Sequence, residues 1–132
     1  MKTVLICGDR DWKSHLLIKD WLNQLTKMGF DTLIEGECKG ADVIAREEAE
    51  KLGYTLLNRD KDTTGFPAER SKYHQRAEAV RNAEMIKVGK PDLVVAFHQK
   101  HTESGGTQNM INLSRSMNIP VILVSECSED MP

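Results

Sequence analysis

The chain has 132 residues, of which 39% are hydrophobic and 29% are charged, so it can bury roughly two-thirds of its unfolded surface. This composition excludes disordered and fibrous proteins. The 18 basic and 20 acidic residues leave a formal net charge of -2, and a nucleic-acid surface, which needs clustered Lys and Arg, is not favoured. We therefore predict one folded domain over residues 1–132.

The amino terminus and the cysteines favour a cytoplasmic protein with reduced thiols. The first apolar run is short and soon followed by charges, unlike a signal peptide, and no apolar run is long enough to cross a membrane. Cys7, Cys38 and Cys127 have no CxxC spacing, which argues against a disulfide framework or a zinc site.

Hydrophobic spacing in the first part of the chain predicts a strand, a helix and a second strand. The first strand covers Thr3–Cys7, the helix is capped by Ser14 and Gly29, and the second strand covers Thr32–Ile34. Apolar residues three and four apart on this helix predict a buried face made of Leu17, Trp21, Leu22, Leu25 and Met28.

The middle of the chain continues the alternation. A helix is predicted from Ala41 to Leu52 and a third strand from Tyr54 to Leu57. The polar segment Asn58–Pro67 is predicted to run over the surface, where it could cover a site as a lid. The stretch Ala68–Val88 has helical spacing and forms either one helix or two with a break around Ala79.

The last part of the chain supplies two more strands. Asp92–Phe97 reads as a fourth strand, a helix begins near Thr107, and Ile119–Val124 reads as a fifth strand. Strands that alternate with helices predict an α/β three-layer sandwich with a parallel sheet of about five strands. The predicted strand order is 3-2-1-4-5.

Sheets of this kind bind ligands outside the carboxyl ends of the strands, where the strand order reverses. In this chain that position gathers the loops Gly8–Trp12, Glu35–Asp42 and His98–Thr107. The third loop is glycine-rich and leads into a helix, whose first backbone N–H groups attract phosphate or carboxylate. Its candidate ligand-binding residues, unless they only form an ordinary turn and helix cap, are Ser104, Gly105, Gly106 and Thr107.

The first loop contributes Gly8, Asp9 and Arg10 as candidate ligand-binding residues. Gly8 would let the backbone turn sharply at the strand end and approach a ligand closely. Arg10 presents a planar fork that suits phosphate. The alternative is that Arg10 pairs at the surface with Asp9 or Asp11.

The second loop brackets a tight turn between Gly36 and Gly40, and Gly40, Ala41 and Asp42 open a helix that permits close approach of a ligand. Asp42 either caps this helix or bonds ribose hydroxyls. Carboxylates at this place, Glu35 among them, would repel an anion unless they face its sugar, bind a cation or perform acid–base chemistry. Glu35 and Asp42 are therefore the candidate catalytic residues.

Two further polar residues, Arg81 and Asn82, lie on the predicted helix before the fourth strand. They would neutralise phosphate and bond a base or sugar if they point to the site, and otherwise they belong to a solvated helix face. No metal site or cofactor is predicted, because the spacing of His98, His101 and Glu103 is loose for metal ligands. Neither a G-x-S-x-G nucleophile nor a P-loop is present.

A series of motifs runs along the chain between Val4 and Val124. They are Gly8-Asp9-Arg10-Asp11-Trp12, Gly36 with Lys39-Gly40-Ala41-Asp42, Arg81-Asn82-Ala83-Glu84-Met85, Asp92-Leu93-Val94-Val95-Ala96-Phe97, Ser104-Gly105-Gly106-Thr107 and Asn118-Ile119-Pro120-Val121. Taken together and in this order, the motifs resemble the YspA-type, YpsA-related branch of the SLOG superfamily, a domain of unknown function found in bacteria and phages.

The resemblance implies a Rossmann-like domain that binds a nucleotide or nucleotide-derived ligand, with the loop after the fourth strand holding phosphate. The wider superfamily includes LOG-type phosphoribohydrolases, with the signature PGGxGTxxE, and DprA-like DNA-binding proteins. Here the proline is absent and Met110 stands where that signature has its glutamate. Fold relationship alone does not transfer activity.

The preferred interpretation is a sensor or sequestering domain for a small nucleotide-like ligand, without membrane association. The alternative is a nucleotide N-glycosidic hydrolase in which Glu35 or Asp42 assists attack by water. A DNA-binding module is less favoured because of the net charge. Related folds often dimerise, so a homo-oligomer is also considered.

Overall fold

The computed structural model describes residues 1–99 and 105–125. The strands are β1 Thr3–Gly8, β2 Thr32–Ile34, β3 Thr55–Leu56, β4 Leu93–Phe97 and β5 Val121–Val124. The helices are α1 His15–Lys27, α2 Ala41–Lys51, α3 Arg70–Tyr73, α4 Ala77–Gly89 and α5 Gly105–Ser116, and a 3-10 turn covers His74–Arg76.

The strands form one parallel sheet in the order β3-β2-β1-β4-β5. Gly8, the last residue of β1, lies opposite Phe97, the last residue of β4. The two strands on either side of the order reversal therefore end at the same level of the sheet. The α/β, Rossmann-like fold and the strand order 3-2-1-4-5 are confirmed.

Both faces of the sheet are covered, and β1 contributes to the core on each side. Val4 and Ile6 pack with buried residues of α1 and α2. Leu5 and Cys7 pack on the other face with buried residues of α4 and α5. Because alternate side chains of a strand point to opposite faces, residues 3–7 of this central strand are buried on both faces, and Gly8 at its carboxyl end is partly exposed.

Helix α1 begins where the sequence predicts, since the Ser14 hydroxyl accepts a hydrogen bond from the Leu17 N–H at 3.2 Å. Its buried residues are Ile18, Leu22 and Leu25, and Leu17 and Trp21 pack partly against them. The predicted burial of Met28 is wrong, because this residue is the C-cap after the last helical turn and is 55% exposed.

The helical region before β4 is divided ahead of Ala79. Helix α3 ends at His74, which has a φ of 54°, and the 3-10 turn leads from there into α4. A positive φ at a non-glycine residue cannot continue an α-helix, so the break falls at this position. Helix α5 begins at Gly105, slightly before the predicted Thr107.

Within the described ranges, no helix has both the length and the apolar character that crossing a bilayer requires.

Candidate functional site

A cleft that is open to solvent, with a cavity volume of about 20 Å³, lies at the carboxyl ends of β1 and β4. This volume has room for about one water molecule and is far below the roughly 300–1,000 Å³ of usual ligand pockets, so a ligand can enter only if lining side chains move. The three predicted loop regions contribute to its wall, through Gly8 and Arg10, Cys38 and Asp42, and Gly106 and Thr107.

One face of helix α4 forms the remaining wall. Glu78, Arg81, Asn82 and Met85 all line the cleft, and their spacing of three, four and seven residues puts them on one side of a helix. Arg81 and Asn82 are only 6% and 2% exposed, so the interpretation of these two residues as a solvated face is wrong. Glu78 and Met85 were not predicted as site residues, although their helical spacing from Arg81 and Asn82 could have indicated them.

Arg81 fixes the loop after β2. Its Nη1 donates a hydrogen bond to the Gly36 carbonyl at 2.5 Å, and both Nη atoms lie 3.7 Å from the Cys38 sulfur. A Cβ atom on Gly36 would lie only 2.8 Å from Cζ of Arg81. Gly36 is therefore needed so that the guanidinium can lie against the backbone.

Asn82 connects α4 to the first turns of α5. Its Nδ2 donates to the Gly106 carbonyl at 2.9 Å and to Oδ1 of Asn109 at 3.0 Å, while its Oδ1 accepts from Nε of Arg81 at 2.9 Å. Together Arg81 and Asn82 join the loop after β2 to the start of α5. These hydrogen bonds hold the loop after β2 and the start of α5 in place as walls of the cleft.

Asp42 is buried at the cleft wall. Its Oδ2 accepts hydrogen bonds from the Gly36 N–H at 3.1 Å and the Cys38 N–H at 3.4 Å. Burial raises its pKa to about 6, against the opposing effect of the Arg81 charge. The N-cap of α2 is Gly40, with no side-chain cap, so Asp42 holds the preceding loop instead of capping the helix.

Glu35 does not line the cleft. Its carboxyl group is buried beneath Gly65, where Oε1 accepts from the Glu37 N–H at 2.6 Å and Oε2 has no hydrogen-bond partner among the described residues. Burial, followed by the charge of Asp42, raises the pKa of Glu35 to about 9. Of the two candidate catalytic residues, Asp42 therefore lines the cleft and Glu35 does not.

Asp9 is also directed away from the cleft. It is 1% exposed, its Oδ1 lies 2.7 Å from Nδ1 of His98, and its Oδ2 accepts from the Gln99 N–H at 2.7 Å. Its carbonyl accepts from the Ala41 N–H at 3.1 Å. Asp9 thereby connects the ends of β1 and β4 with the start of α2.

The sharp turn expected at Gly8 is wrong, because Gly8 continues β1 to its pairing with Phe97. A side chain there would place its Cβ 2.6 Å from Cβ of Ala41, so the glycine allows α2 to approach the strand. Gly40 has a φ of 86°, which favours glycine, and a Cβ there would come within 2.5 Å of the Arg10 carbonyl oxygen.

Arg10 pairs with Glu78, not with Asp9 or Asp11. Oε1 of Glu78 accepts hydrogen bonds from Nη2 of Arg10 and Nη2 of Arg70. Oε2 of the same carboxylate lies so close to Gly106 that a Cβ atom on this residue would clash with it. Partial burial raises the pKa of Glu78, but Arg10 and Arg70 outweigh this effect and the pKa is lowered.

Thr107 lies in the first turn of α5, lines the cleft and is 4% exposed. Gly105 starts this helix, and Ser104 lies outside the described residues. Met110, at the position of the LOG-type glutamate, is fully buried in the core between the sheet and α4. Burial raises the pKa of the Cys7 thiol far above its usual value, so Cys7 is not a thiolate nucleophile.

The described part of the chain contains no group of three or more His, Cys, Asp or Glu side chains arranged to hold a metal ion. His101 and Glu103, two of the loosely spaced residues considered for metal binding, lie outside it.

Comparison with solved structures supports the fold. The Moco carrier protein of Chlamydomonas rheinhardtii superposes with a TM-score of 0.62 at 17% sequence identity, over 98% of this chain and 80% of that one. No curated protein matches the chain significantly. The family YAcAr, described as the YspA, cpYpsA-related SLOG family, matches residues 2–73. Because this match spans more than half of the 132 residues, the chain belongs to the YspA, cpYpsA-related SLOG family.

Proposed function

We propose that the protein binds a nucleotide or a nucleotide-derived ligand, as a sensor or sequestering domain. The observation that carries the proposal is the cleft at the order reversal of the sheet, where Arg10, Asp42 and the first turn of α5 meet. Open parallel sheets bind their ligands at this position.

The start of α5 is the proposed phosphate site. Gly106 and Thr107 belong to the first turn and line the cleft, and the first N–H groups of a helix have no acceptor within it. The positive end of the helix dipole adds attraction for an anion. Arg10 lines the same cleft and carries a charged, planar donor group.

Asp42 is the proposed contact for the sugar. It lines the same cleft, and two N–H groups already orient its carboxyl group. An ionised carboxylate has about four acceptor positions, so two donors leave it able to accept from ribose hydroxyls. Membership of the SLOG family and the fold shared with a Moco carrier protein support a small ligand.

Thermal unfolding in the presence of nucleoside monophosphates, ADP-ribose and NAD tests this function. A ligand at about 100 times its dissociation constant should add roughly 2.7 kcal/mol to the free energy of unfolding. Arg10→Ala and Thr107→Val should lose most of this gain, because each removes a group from the proposed phosphate site. Arg76→Ala, at an exposed arginine outside the cleft, should keep it.

If Arg10→Ala and Thr107→Val respond to every ligand as the wild type does, the proposed pocket is wrong.

A second candidate function is N-glycosidic hydrolysis of a nucleotide. It is favoured by Asp42, whose buried carboxyl group lines the cleft and has its pKa raised to about 6, near the range that acid–base catalysis uses. Glu35, the other predicted catalytic residue, lies outside the cleft lining. The same incubations, assayed for free base by chromatography, should show none if the protein only binds. Release that Asp42→Asn abolishes would establish the hydrolase instead.

A further inference from the structure

The carboxylate of Glu78, a residue that lines the cleft, lies where three anion-attracting groups meet. Two arginines from separate parts of the chain, Arg10 after β1 and Arg70 in α3, donate to the same oxygen, Oε1. The other oxygen faces Gly106 at the start of α5. The position is thus surrounded by two positive charges and the positive end of a helix dipole.

We propose that Arg10 and Arg70 form an arginine clamp for a phosphomonoester group of the ligand, and that Glu78 occupies this clamp in the ligand-free protein. The inference rests on the proposed function and narrows its ligand class. Binding then exchanges the internal carboxylate for the phosphate of the ligand, and Glu78 turns away from the clamp.

The two positive charges of the clamp favour a phosphomonoester over a phosphodiester. The clamp carries two positive charges, whereas Glu78 supplies one negative charge. A phosphomonoester carries about −1.5 to −2 at pH 7 and offers three acceptor oxygens, so it neutralises the clamp better than the carboxylate does. A phosphodiester carries only one negative charge and has no such advantage. Nucleoside monophosphates should therefore bind better than ligands whose phosphates are all esterified on both sides.

Replacing the Glu78 carboxylate by the phosphate of a ligand should cost little free energy. The side chains of Arg10 and Arg70 are 51% and 55% exposed, and that of Glu78 is 24% exposed. Ion pairs between side chains this exposed contribute little to stability. A ligand that makes charge-assisted hydrogen bonds to both guanidinium groups can replace them.

The test is isothermal titration calorimetry of wild type and Glu78→Gln with inorganic phosphate and with a nucleoside 5′-monophosphate. Glu78→Gln removes the competing charge and should bind both probes about two- to thirtyfold more tightly, the factor that corresponds to losing two exposed ion pairs. Glu84→Gln removes the same charge from the same helix at a residue that does not line the cleft, and it should bind like the wild type.

Arg70→Ala supplies a second variant, which tests the clamp itself once the internal anion has been removed. In the Glu78→Gln background, loss of Arg70 should weaken binding of the monophosphate at least threefold, and the preference over the matching methyl phosphodiester should shrink. Circular dichroism checks that each variant is folded.

The outcomes separate the two proposals. If wild type binds the monophosphate but Glu78→Gln binds equally or less tightly, or Glu84→Gln tightens it equally, the clamp is wrong and the proposed function stands. If Glu78→Gln tightens inorganic phosphate but the nucleoside adds nothing, the clamp stands and nucleotide binding is wrong. If neither probe binds any variant, both proposals are wrong.

Discussion

Arg81→Ala is expected to lower the free energy of unfolding by about 3–5 kcal/mol, the usual cost of removing one member of a buried pair of opposite charges. Arg81 is 6% exposed and donates to the Gly36 carbonyl and to Asn82. Its charge also opposes the rise in the pKa of buried Asp42. Without it, that carboxyl group loses its compensating charge and the loop after β2 loses its anchor.

Urea unfolding at neutral pH measures this effect. Arg76→Ala is the matched control, because Arg76 is exposed and surface changes usually alter stability by less than about 0.5 kcal/mol. Arg81→Lys should lose less than Arg81→Ala, since it keeps the charge but not the planar fork. A loss in Arg81→Ala no larger than in Arg76→Ala would show that this network does not stabilise the fold.

Glu35→Gln is expected to make the protein less sensitive to alkaline pH. Burial raises the pKa of Glu35 from 4.5 to about 9, so between these values the folded state keeps a proton that the unfolded state has lost. Stability therefore falls as pH rises through this window, by up to about 1.4 kcal/mol per pH unit for one group. Glutamine resembles the protonated side chain and carries no such penalty.

Urea unfolding of wild type and Glu35→Gln from pH 5 to pH 9 checks this expectation. The variant should gain stability relative to wild type with each step in pH, and the difference should be largest at the alkaline end. Glu50→Gln, at an exposed carboxylate on α2, should follow the wild-type curve. A constant difference between Glu35→Gln and wild type at every pH would mean that the pKa of Glu35 in the folded protein is not raised above its unfolded value.

The fold was predictable because its signals are local and repeated. The alternation of strands and helices, the caps of α1 and the uniform apolar character of β1 and β4 all indicated a covered parallel sheet. That topology in turn predicted which loops would share an edge, and residues from all three regions do line one cleft.

The inner arrangement of the cleft was harder to predict because it depends on contacts between distant residues. A buried polar pair such as Arg81 and Asn82 has the same sequence pattern as an exposed one, and only tertiary packing distinguishes them. The pairing of Arg10 with Glu78 joins residues 68 apart in the chain. Glu35 follows β2 just before the loop that carries Asp42, yet its carboxyl group lies beneath Gly65 and outside the cleft lining.

Helix α4 emerges as the element that organises the site. Its buried face supplies Arg81 to the loop after β2, Asn82 to the start of α5, and Glu78 to Arg10 and Arg70. These contacts join the loops in addition to the hydrogen bonds of Asp9, which link the ends of β1 and β4 with the start of α2. The fold positions the cleft, and α4 determines its shape and charge.

A ¹⁵N-resolved NMR titration with a nucleoside 5′-monophosphate tests nucleotide binding in this cleft most directly. We expect the largest shifts on the backbone amides of Gly106 and Thr107 and on the Nε–H of Arg10, because these residues line the proposed phosphate site. Arg10→Ala should weaken the response of both amides. No saturable shift, or shifts confined to the separate depression around His15 and Glu47, would contradict nucleotide binding in the cleft.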